Sequence, residues 1–427
     1  MMQTATMLAG VQDYSETQVE PGWLTKLRTQ AVADYATLPL PVFEKINYRS
    51  WPLLDVTAPQ VIDEPEVTDD LSARGEQTNF YSLGDTTVRV NLPKEARSQG
   101  VILCDLKTAI REHGDLVKAN LFNQALKADS DKLTALNAAL MTNGFFLYVP
   151  ANVVLKEPLE ILQLVDQRQP QNFVQHNLVV TEPSSQVEIV QRLGSVGTNA
   201  AIVHMVVEVV AGANSHVSFA GIDNLAANTT AYLNRRGVLS PDAHLNWELA
   251  EMNAGQVIAD FDTELRGRGS EANVKTIAVA NQQQTQGMDT RVTNYGPNSV
   301  ANIVQRGVIL DEATLIFNGI GHIVHGAHGS KADQENRLLM LSSEARGDAN
   351  PILLIDENDV EAGHAASVGR VDEQQMYYLL SRGIPEPVAQ RLVIRGFLAG
   401  VVTELRSPRL RKSLMNLIER RLADDNE

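Results

Sequence analysis

The chain of 427 residues contains a single cysteine, Cys104, and one thiol cannot close a disulfide within the chain. Cys104 lies in the apolar run Val101-Ile-Leu-Cys-Asp105, a setting that predicts a packed, unreactive thiol. No apolar run reaches the about 18 residues of a membrane-spanning helix, because His204 and Glu208 interrupt the best candidate, 201–213. The amino terminus has no basic segment followed by an apolar core, which predicts that it carries no signal peptide. We therefore expect a soluble cytoplasmic protein without a membrane partner.

Basic residues are few relative to acidic ones. The chain has 36 Lys and Arg against 52 Asp and Glu, and its formal net charge is −16. This balance argues against nucleic acid or anionic lipid as the main partner, because both would repel the chain. The hydrophobic fraction of 44% supplies a sizeable core and argues against wholesale disorder. A chain of this length accommodates two or three domains, or one long repeat domain with appendages.

A repeat becomes visible between residue 144 and about residue 365. Small polar turns followed by alternating apolar residues recur at alanines spaced by 30, 29 and 29 residues: Ala213, Ala243, Ala272 and Ala301. Ser184 and Asp311 begin looser copies. Equally spaced strand-plus-turn units predict a solenoid, in which each unit buries its apolar face against its neighbours. Short strands joined by turns without helices between them favour a mainly β fold with a parallel β-helix, and an ordinary β-sandwich is the alternative.

The segments on both sides of the repeat have helical patterns. An apolar stripe predicts a helix within 16–45, and further helices are predicted at 105–112 and 115–141. Short strands are expected at 79–83 and 86–92, and the acidic, Pro-containing segment 56–78 is typical of a linker. These patterns predict an N-terminal helical and mixed region over 1–143, followed by the β-helix core over 144–368.

The last predicted unit, 369–427, is a small helical domain. Asp372 is a suitable N-cap for a helix over Glu373–Ser381, and Gly383 is a suitable residue to end it. Pro385 and Pro387 suit the first turn of a second helix, and a third is predicted over 409–422. Together these helices carry more apolar surface than they can bury among themselves. We expect part of it to meet the solenoid and part to meet a partner.

Enzymatic signatures are missing from the sequence. It holds no Gly-x-Ser-x-Gly elbow, no Walker A loop and no dinucleotide fingerprint. Arg266-Gly-Arg-Gly269 lacks the strand–loop–helix context of a phosphate loop, so we interpret it as a turn of the solenoid. Asp260 and Asp262 suit a polysaccharide lyase or hydrolase, although carboxylates of a β-helix are more often solvent-facing residues of the repeat. A non-enzymatic protein is favoured, and a β-helix carbohydrate-active enzyme is the alternative.

Histidines cluster near the end of the repeat. Gly321-His-Ile-Val-His-Gly-Ala-His328 suggests a metal site at first. On a strand, however, His322 and His328 would share one face and His325 would point to the other. Without a cysteine or a carboxylate cluster to complete a metal set, we interpret these histidines as hydrogen-bonded surface residues. A weak contribution to transition-metal binding is the alternative.

His364 stands in a different context. Glu361 is close in sequence, and the neighbours Gly363 and Ala365 are small, which leaves the imidazole accessible. Neutral imidazole is a good ligand for iron or zinc. His364, with Glu361 as a weaker companion, is therefore a candidate metal ligand, and a capping or packing role is the alternative.

Several ordered segments of the chain resemble a known family. They are Asn47-Tyr-Arg-Ser-Trp-Pro-Leu53, Glu157-Pro-Leu-Glu-Ile161, Lys331-Ala-Asp-Gln-Glu-Asn-Arg-Leu-Leu-Met-Leu-Ser342, Pro351-Ile-Leu-Leu-Ile355, Gly363-His-Ala-Ala-Ser-Val-Gly-Arg370, Tyr377-Tyr-Leu-Leu-Ser-Arg-Gly-Ile384 and Arg395-Gly-Phe397. In order and spacing these segments are similar to the SufB/SufD family of iron–sulfur cluster assembly proteins, and most similar to its SufD branch. The resemblance covers most of the chain and is most specific over 322–400.

The resemblance implies a right-handed parallel β-helix between an N-terminal helical region and a C-terminal helical domain. It also implies a non-enzymatic scaffold subunit of a SufBCD-type complex. Members of the family pair with a SufB-like paralogue through their β-helices, and each docks an ABC-type ATPase, SufC, through its helical tail. The residues that we expect to dock the ATPase are Tyr378, Arg382, Arg395 and Phe397. When the chain is isolated, its unpaired sheet edge predicts a homodimer, and a homodimeric interaction protein without metal remains a further alternative.

The family's interface histidine falls on His364, as one ligand of a transient iron–sulfur cluster whose cysteine ligand is expected from the partner. Some relatives carry a cysteine two residues before that histidine, where this chain has Ala362. A cluster takes about four thiolates when cysteine alone holds it, and this chain has only Cys104. We therefore expect no cluster or other cofactor to be bound stably by this chain alone.

Overall fold

The computed structural model describes residues 2–60, 65–169, 172–403 and 408–423. The helices are α1 Met2–Thr17, α2 Gly22–Thr37, α3 Asp69–Arg74, α4 Lys94–Ser98, α5 Leu106–Glu112, α6 Gly114–Asn120, α7 Lys132–Leu140, α8 Glu373–Ser381, α9 Glu386–Val402 and α10 Pro408–Ala423. The strands before residue 200 are β1 Phe80–Leu83, β2 Thr86–Val90, β3 Ile102–Asp105, β4 Phe145–Val149, β5 Leu159–Gln167, β6 Phe173–Thr181 and β7 Gln186–Gly197. The later strands are β8 Ala201–Ala211, β9 His216–Asn224, β10 Thr229–Leu239, β11 His244–Glu251, β12 Gln256–Leu265, β13 Glu271–Ala280, β14 Thr285–Asn294, β15 Val300–Ile309, β16 Thr314–Ile323, β17 Lys331–Met340, β18 Arg346–Ile355 and β19 Glu361–Arg370.

The strands form two sheets between which the chain alternates. The odd sheet has ten strands in the order β19-β17-β15-β13-β11-β9-β7-β5-β1-β2, and the even sheet has nine in the order β18-β16-β14-β12-β10-β8-β6-β4-β3. From β4 to β19 every pairing is parallel. Each strand therefore pairs with the strand one full turn later, and the predicted β-solenoid is confirmed. The right-handed sense of its coil stays a prediction.

The corners that lead into the odd strands from β7 to β17 share one backbone conformation. Each has a residue with positive φ two positions before its strand: Ser184, Asn214, Asp242, Gly269, Asn298 and Gly329. The backbone N–H of each donates to a carbonyl of the next corner, as Asn214 does to Pro241 and Asn298 to His328, both at 2.9 Å. Glycine, asparagine and aspartate reach this left-handed region most easily. The small polar turns of the sequence are therefore stacked corners, and Arg266-Gly-Arg-Gly269 is one of them.

The length of a turn varies along the solenoid. Thr230 lies beside Gln256 at one turn, a spacing of 26 residues, and Thr314 lies beside Arg346 at another, a spacing of 32. The predicted spacing of the alanines is thus an average. Ala272 does pair with Ala301 as predicted, but its partner in the preceding turn is Leu245 and not Ala243.

The interior is packed with inward-facing apolar side chains from both sheets. Among the largest, Phe219 and Trp247 lie on successive odd strands and pack in a tilted arrangement with ring centroids 5.0 Å apart. The indole N–H of Trp247 donates to Thr263 Oγ1 at 3.0 Å, which satisfies its polar atom. Burying one such aromatic side chain stabilises the fold by about 1.5–3 kcal/mol, so each turn depends on its neighbours for its stability.

The outer face of the even sheet is covered by the N-terminal region. The helices α1, α2, α5 and α7 pack over the first turns, against apolar residues of β6 and β8. The strap, residues 38–54, continues over later turns and places Phe43, Ile46 and Tyr48 against Tyr232 and Ile258. Ile46 also touches the backbone of Gly287, where a Cβ would lie 2.0 Å from Ile46 Cδ1. This close approach requires glycine.

The outer face of the odd sheet is covered by the C-terminal helices. Ile394, Leu398 and Val401 of α9 form one buried cluster with residues of the odd strands such as Ile222 and Ile277. Residues of α10 join the same cluster: Leu414, Ile418 and Leu422. Part of the surplus apolar surface of the tail therefore meets the solenoid, as the sequence predicts.

The predicted segments and the observed elements differ in places. Within 1–143 the strands β1, β2 and β3 join the two sheets, so this region contributes to the start of the solenoid as well as to its cover. The helix α1 and the strand β3 were not predicted, and the helix predicted over 115–141 is interrupted between Asn120 and Lys132. The core strands begin at Phe145 and end at Arg370. Within the described residues, no helix is long and apolar enough to cross a membrane.

Candidate functional site

The last turn of the solenoid is open to solvent. The open end, defined as β18 and β19, consists of the outermost strand of each sheet. Almost every residue of β19 is exposed, whereas β15, two strands earlier in its sheet, is mostly buried. The outward edge of a terminal strand presents backbone N–H and C=O groups that a further strand can pair with. The open end is therefore the place where the solenoid leaves the backbone groups of a strand edge without a partner strand of this chain.

His364 lies on β19 at this open end. It pairs with Gln334 of β17, and because alternate residues share a face, both belong to an inward-facing column. The same column holds Val274 and Ile303 in the preceding turns. The column is thus apolar inside the solenoid and becomes polar at its end. His364 is exposed since no later turn covers it, so its imidazole is accessible, as predicted.

Glu361 lies on a different face of β19 from His364. The two residues are three positions apart on one strand and therefore point to opposite faces. The Glu361 carboxylate meets Lys331 Nζ at 2.7 Å, and this bond raises the pKa of Lys331. Among the described residues, no group of three or more His, Cys, Asp or Glu is placed to hold a metal ion. Any cluster at His364 would need its other ligands from another molecule.

Polar side chains lie directly beneath His364. The Gln334 amide N–H donates to the Ile352 carbonyl at 2.8 Å, but its Oε1 is buried without a hydrogen-bond partner in the described structure. Both side-chain amide atoms of Asn336 are buried without a partner as well. Gly319 leaves room for these groups, since a Cβ there would lie 2.5 Å from Gln334 Oε1. Each unpaired buried group costs about 1–3 kcal/mol, and similar unpaired amide oxygens occur in earlier turns at Gln191, Gln286 and Gln305.

Sequence reasoning missed Gln334 and Asn336. Gln334 occupies an inward position that is apolar at Ile303 of the preceding turn, whereas Asn336 follows the buried polar Gln305 in its column. The change from an apolar to a polar residue at an inward repeat position is the signal that would have found Gln334. Recognising this change requires the strand-to-strand register, and the number of residues per turn varies along the solenoid.

The other histidines are not a cluster. His322 lies on β16 with its Nε2 3.2 Å from Asp356 Oδ2, whereas His325 and His328 lie in the corner that follows. The predicted alternation of faces is wrong because β16 ends at Ile323. His325 is 90% exposed and lies 3.7 Å from a Glu357 oxygen, and His328 Nδ1 lies 3.2 Å from the Gly326 carbonyl. Separate partners of this kind agree with the interpretation as hydrogen-bonded surface residues.

The helix α8 forms a second uncovered surface. Asp372 caps it by accepting the backbone N–H of Gln374 at 2.8 Å, and Gly383 follows it with a φ of +79°, both as predicted. None of its residues is buried. Tyr377 and Tyr378 are 75% and 56% exposed. We call the exposed apolar residues of α8 and the start of α9 the tail surface: Tyr377, Tyr378, Leu380, Val388 and Leu392.

The four residues predicted to dock an ATPase are divided by the structure. Tyr378 belongs to the tail surface, and the Arg382 guanidinium carbon lies 5.1 Å from its ring centre. Arg395 is half-exposed on α9, with its Nε 3.3 Å from a Glu419 oxygen. Phe397 instead packs into the cluster that holds the tail on the solenoid, with the Arg306 guanidinium 5.7 Å from its ring centre. Phe397 thus serves packing within the chain.

The two carboxylates of the enzymatic alternative, Asp260 and Asp262, are bound to one arginine. Arg236 donates to Asp262 at 2.9 Å and also to Asp260. Asp260 and Asp262 are only 18% and 21% exposed, so the expectation that they face solvent is wrong. Burial raises the pKa of Asp260 to about 6. Both carboxylates are thus engaged in ion pairs on a partly covered face of the solenoid.

Cys104 agrees with its prediction. It lies on β3, partly buried against the N-terminal cluster. Burial, with a smaller contribution from Asp105, raises the pKa of its thiol to about 12. The thiol is therefore protonated at neutral pH and is a poor nucleophile and metal ligand.

Comparison with known families agrees with this architecture. A family model described as "SUF system FeS cluster assembly, SufBD core domain" matches residues 164–397, and one described as "SufBD protein N-terminal region" matches residues 75–161. The chain therefore belongs to the SufBD family of iron–sulfur cluster assembly proteins.

Individual relatives place the chain within that family. The iron-sulfur cluster assembly protein SufD of Bacillus subtilis (strain 168) is 41% identical over 424 residues, which cover 96% of this chain and 97% of that protein. An iron-sulfur cluster assembly SufBD family protein of Staphylococcus saprophyticus is 26% identical over 420 residues, covering 92% of this chain and 88% of its own length. The similarity to the SufD branch that the sequence motifs indicate is confirmed.

Proposed function

We propose that this chain is a non-enzymatic scaffold subunit of a SufBCD-type iron–sulfur cluster assembly complex, acting in the cytoplasm. Its open end pairs with a SufB-like paralogue, and its tail surface docks a SufC-like ABC ATPase. The observation that carries the proposal is the accessible His364 on the exposed terminal strand of a solenoid whose sheets are packed, on their outer faces, against the chain's own helices and strap.

Pairing at the open end is supported by the geometry of β19. The backbone N–H of Glu361 donates to the Ser330 carbonyl at 3.1 Å. In a parallel ladder alternate residues of one strand bond to the same neighbouring strand. The backbone N–H groups of Ala362, His364 and Ala366 therefore point away from β17, toward the free edge of the sheet. Exposed apolar side chains at the same end supply area that an added strand would bury: Leu354, Ile355 and Val368.

The nascent cluster is the cargo of this interface. His364 supplies one imidazole ligand, and thiolates come from the partner, since the thiol of Cys104 is distant in the fold and protonated. Histidine replaces cysteine on iron in other cluster sites, so a mixed ligand set is chemically ordinary. In this arrangement neither chain alone completes the site, and the cluster forms only where the two meet.

The tail surface suits a partner that binds and releases. Its exposed tyrosines are amphipathic side chains of a type that is enriched among the residues contributing most to protein interfaces, and its leucines add apolar area. Arg382 beside Tyr378 adds a cation, which an acidic groove on the partner would match. Because α9 and α10 are anchored on the odd sheet, force applied at α8 is transmitted to the solenoid, as an ATPase-driven change of the scaffold requires.

Pairing is tested with two variants at one position. Ala366→Pro removes an outward N–H without breaking a bond to β17, and Ala366→Ser keeps that N–H as the matched control. We expect Ala366→Pro to lose co-purification with the SufB-like paralogue, and Ala366→Ser to retain it, while both melt as the unmodified chain does. Undiminished pairing of Ala366→Pro would place the interface elsewhere.

Docking of the ATPase is tested by the double variant Tyr377→Ser and Tyr378→Ser, with Phe397→Leu as the comparison. We expect the double variant to lose capture of the ATPase at unchanged melting temperature, and Phe397→Leu to lower the melting temperature but retain capture. Point variants are preferable to deletion of residues beyond Gly369, because deletion would uncover the apolar face of the odd sheet. Capture by the double variant would contradict this assignment.

The isolated chain is expected to pair with itself through the same edge. Sedimentation of the purified chain should show a homodimer, and Ala366→Pro should convert it to a monomer. A dimer that persists in Ala366→Pro, together with cluster assembly that is indifferent to His364→Ala, would favour a metal-independent interaction protein instead.

A further inference from the structure

A cavity of about 420 Å³ lies in the N-terminal region, apart from the open end and the tail surface. Its walls come from the end of α1, the connection to α2, the helices α2 and α5, and the residues after α7. The volume falls within the range of small-molecule sites. Neither the pairing nor the docking proposed above uses this cavity.

One wall of the cavity is apolar and the other is cationic. Leu24, Leu106 and Ile110 line the apolar side. The cationic side is lined by Lys107 and Arg111, which lie one helical turn apart on the same side of α5. Arg111 pairs with the exposed Glu112 at 2.9 Å, whereas Lys107 has no ion-pair partner among the described residues. Burial raises the pKa of the Asp85 carboxyl, which accepts from the cavity residue Thr142 at 2.6 Å, and this group lies near enough for the charge of Lys107 to lower that pKa in part. The cavity thus combines an apolar body with a positive charge that no direct ion pair neutralises.

Arg28 closes the cavity but does not supply free charge. Its guanidinium makes two bonds to the Glu20 carboxylate, at 2.8 and 2.7 Å, and a third to the Ala139 carbonyl at 3.0 Å. The pair is almost completely buried. It therefore fixes the shape of the cavity floor, and an incoming anion would meet Lys107 rather than Arg28.

Tyr14 contributes an unsatisfied donor. The residue lines the cavity, is 3% exposed, and its hydroxyl is buried without a hydrogen-bond partner in the described structure. Its ring lies beside Arg28, whose guanidinium carbon is 5.6 Å from the ring centre. A tyrosine is normally buried with a partner for its hydroxyl. The missing acceptor is accounted for if a ligand in the cavity supplies it.

We infer that this cavity binds a small amphipathic anion, with its apolar body against Leu24, Leu106 and Ile110 and its carboxylate accepting from Tyr14 and facing Lys107. Charge and shape both contribute to selection. A neutral molecule of the same length would leave Lys107 without a direct ion pair, and a fully polar anion would leave the apolar wall uncovered. The site adds a small-molecule ligand to a chain otherwise proposed to bind only proteins and a cluster.

Binding is tested on the full chain with decanoate as the ligand and 8-anilinonaphthalene-1-sulfonate as the fluorescent probe. We expect decanoate to displace part of the bound probe, and decanol to do so about ten-fold less well because it lacks the charge. Ile110→Trp fills the cavity and should abolish the decanoate-displaceable signal. Signal that remains in Ile110→Trp would assign the probe to apolar surface elsewhere and overturn the inference.

Charge and hydrogen bonding are tested separately. Lys107→Glu should weaken decanoate binding about ten-fold or more, whereas Lys118→Glu, an exposed change of the same charge outside the cavity, should not. Tyr14→Phe should leave the melting temperature unchanged, since the hydroxyl has no partner to lose, and should still weaken decanoate several-fold. Equal weakening by Lys118→Glu, or unchanged affinity in Tyr14→Phe, would contradict the proposed site.

Discussion

A buried ion cluster inside the solenoid offers a sharp test of how the interior is held together. The Arg235 guanidinium lies 2.9 and 2.7 Å from the two oxygens of Asp223 and 3.5 Å from a Glu251 oxygen. All three side chains are fully buried. Two carboxylates therefore share one cation in a site without solvent. Ionising both of them at once would be energetically unfavourable.

Protonation of Glu251 would leave one carboxylate charge to balance the one guanidinium charge. Burial first, and the charge of Asp223 second, raise the pKa of Glu251 well above its usual range. We therefore expect Glu251 to be a neutral acid that donates its proton to Asp223, while Asn253 donates to its other oxygen at 2.9 Å. In this interpretation Arg235 forms the close ion pair with Asp223, and Glu251 acts as a hydrogen-bond donor.

The variants Arg235→Met and Glu251→Gln distinguish these roles. Removing Arg235 leaves the charge of Asp223 buried and unpaired, at a cost of about 3–5 kcal/mol in the free energy of unfolding. Glu251→Gln keeps a donor of the same size and should cost less than about 1 kcal/mol. Urea unfolding at pH 7, followed by circular dichroism, measures both. A cost for Glu251→Gln as large as that of Arg235→Met would refute the reasoning, because it would mean that Glu251 is ionised.

The same cluster fixes a pH dependence. A carboxyl whose pKa is raised on folding binds its proton more tightly in the folded chain, so its contribution to stability is present at low pH and is lost as the pH rises through the folded pKa. The unmodified chain should lose stability toward alkaline pH relative to Glu251→Gln. Parallel pH profiles of the two proteins would contradict the assignment of the proton.

Three further predictions concern other parts of the chain. His364→Ala should leave the melting temperature unchanged, because the ring is exposed, yet reduce cluster formation measured by absorbance in the complex with the paralogue; Ser367→Ala, on the opposite face of β19, is the control. Burial raises the pKa of Asp289 to about 7. The free energy of unfolding should therefore fall as the pH rises from about 4 to about 7, by on the order of 2 kcal/mol after solvent screening. Asp289→Asn should flatten this part of the plot of unfolding free energy against pH, and an unchanged slope would contradict the buried carboxyl. The Cys104 thiol, protonated at neutral pH, should react with 5,5′-dithiobis-(2-nitrobenzoate) far more slowly in the folded chain than in urea, and equal rates would show that it is accessible.

The repeat shows how far periodicity reaches. Turn residues that tolerate positive φ revealed the corners, and their spacing revealed the solenoid. The alignment of Ala243 with Ala272 was wrong by two residues, since Leu245 is the true partner. A shift of two keeps every side chain on its predicted face, because the period of a strand is two. The inward and outward faces were therefore predictable even where the register was not.

The interrupted helix shows where local reasoning ends. The segment 115–141 has helical periodicity, but α6 stops at Asn120 and Phe122 adopts a φ of +50°. The carboxylate of Glu208, distant in sequence on β8, accepts the backbone N–H groups of Phe122 at 2.7 Å and Leu126 at 3.1 Å. A helix break stabilised by a side chain from another element leaves no signal in the segment itself.

For the candidate site, too, the sequence indicated some features and the tertiary structure was needed for others. Sequence motifs alone indicated the family, the accessible His364 and the capped helix α8, since these depend on residue type and local spacing. Separating Glu361 from His364 needed the strand geometry, and assigning Phe397 to packing needed the contact with Arg306.

What the sequence determined by itself is the solenoid, its helical flanks and the positions of its corners, because backbone preference and apolar alternation act between near neighbours. Only the tertiary structure decided which surfaces remain uncovered: the open end, the tail surface and the cavity beside Tyr14. Exposure depends on what folds back from elsewhere in the chain, as the strap does on the even sheet and α9 on the odd sheet. Contacts of that range are not encoded in any local pattern.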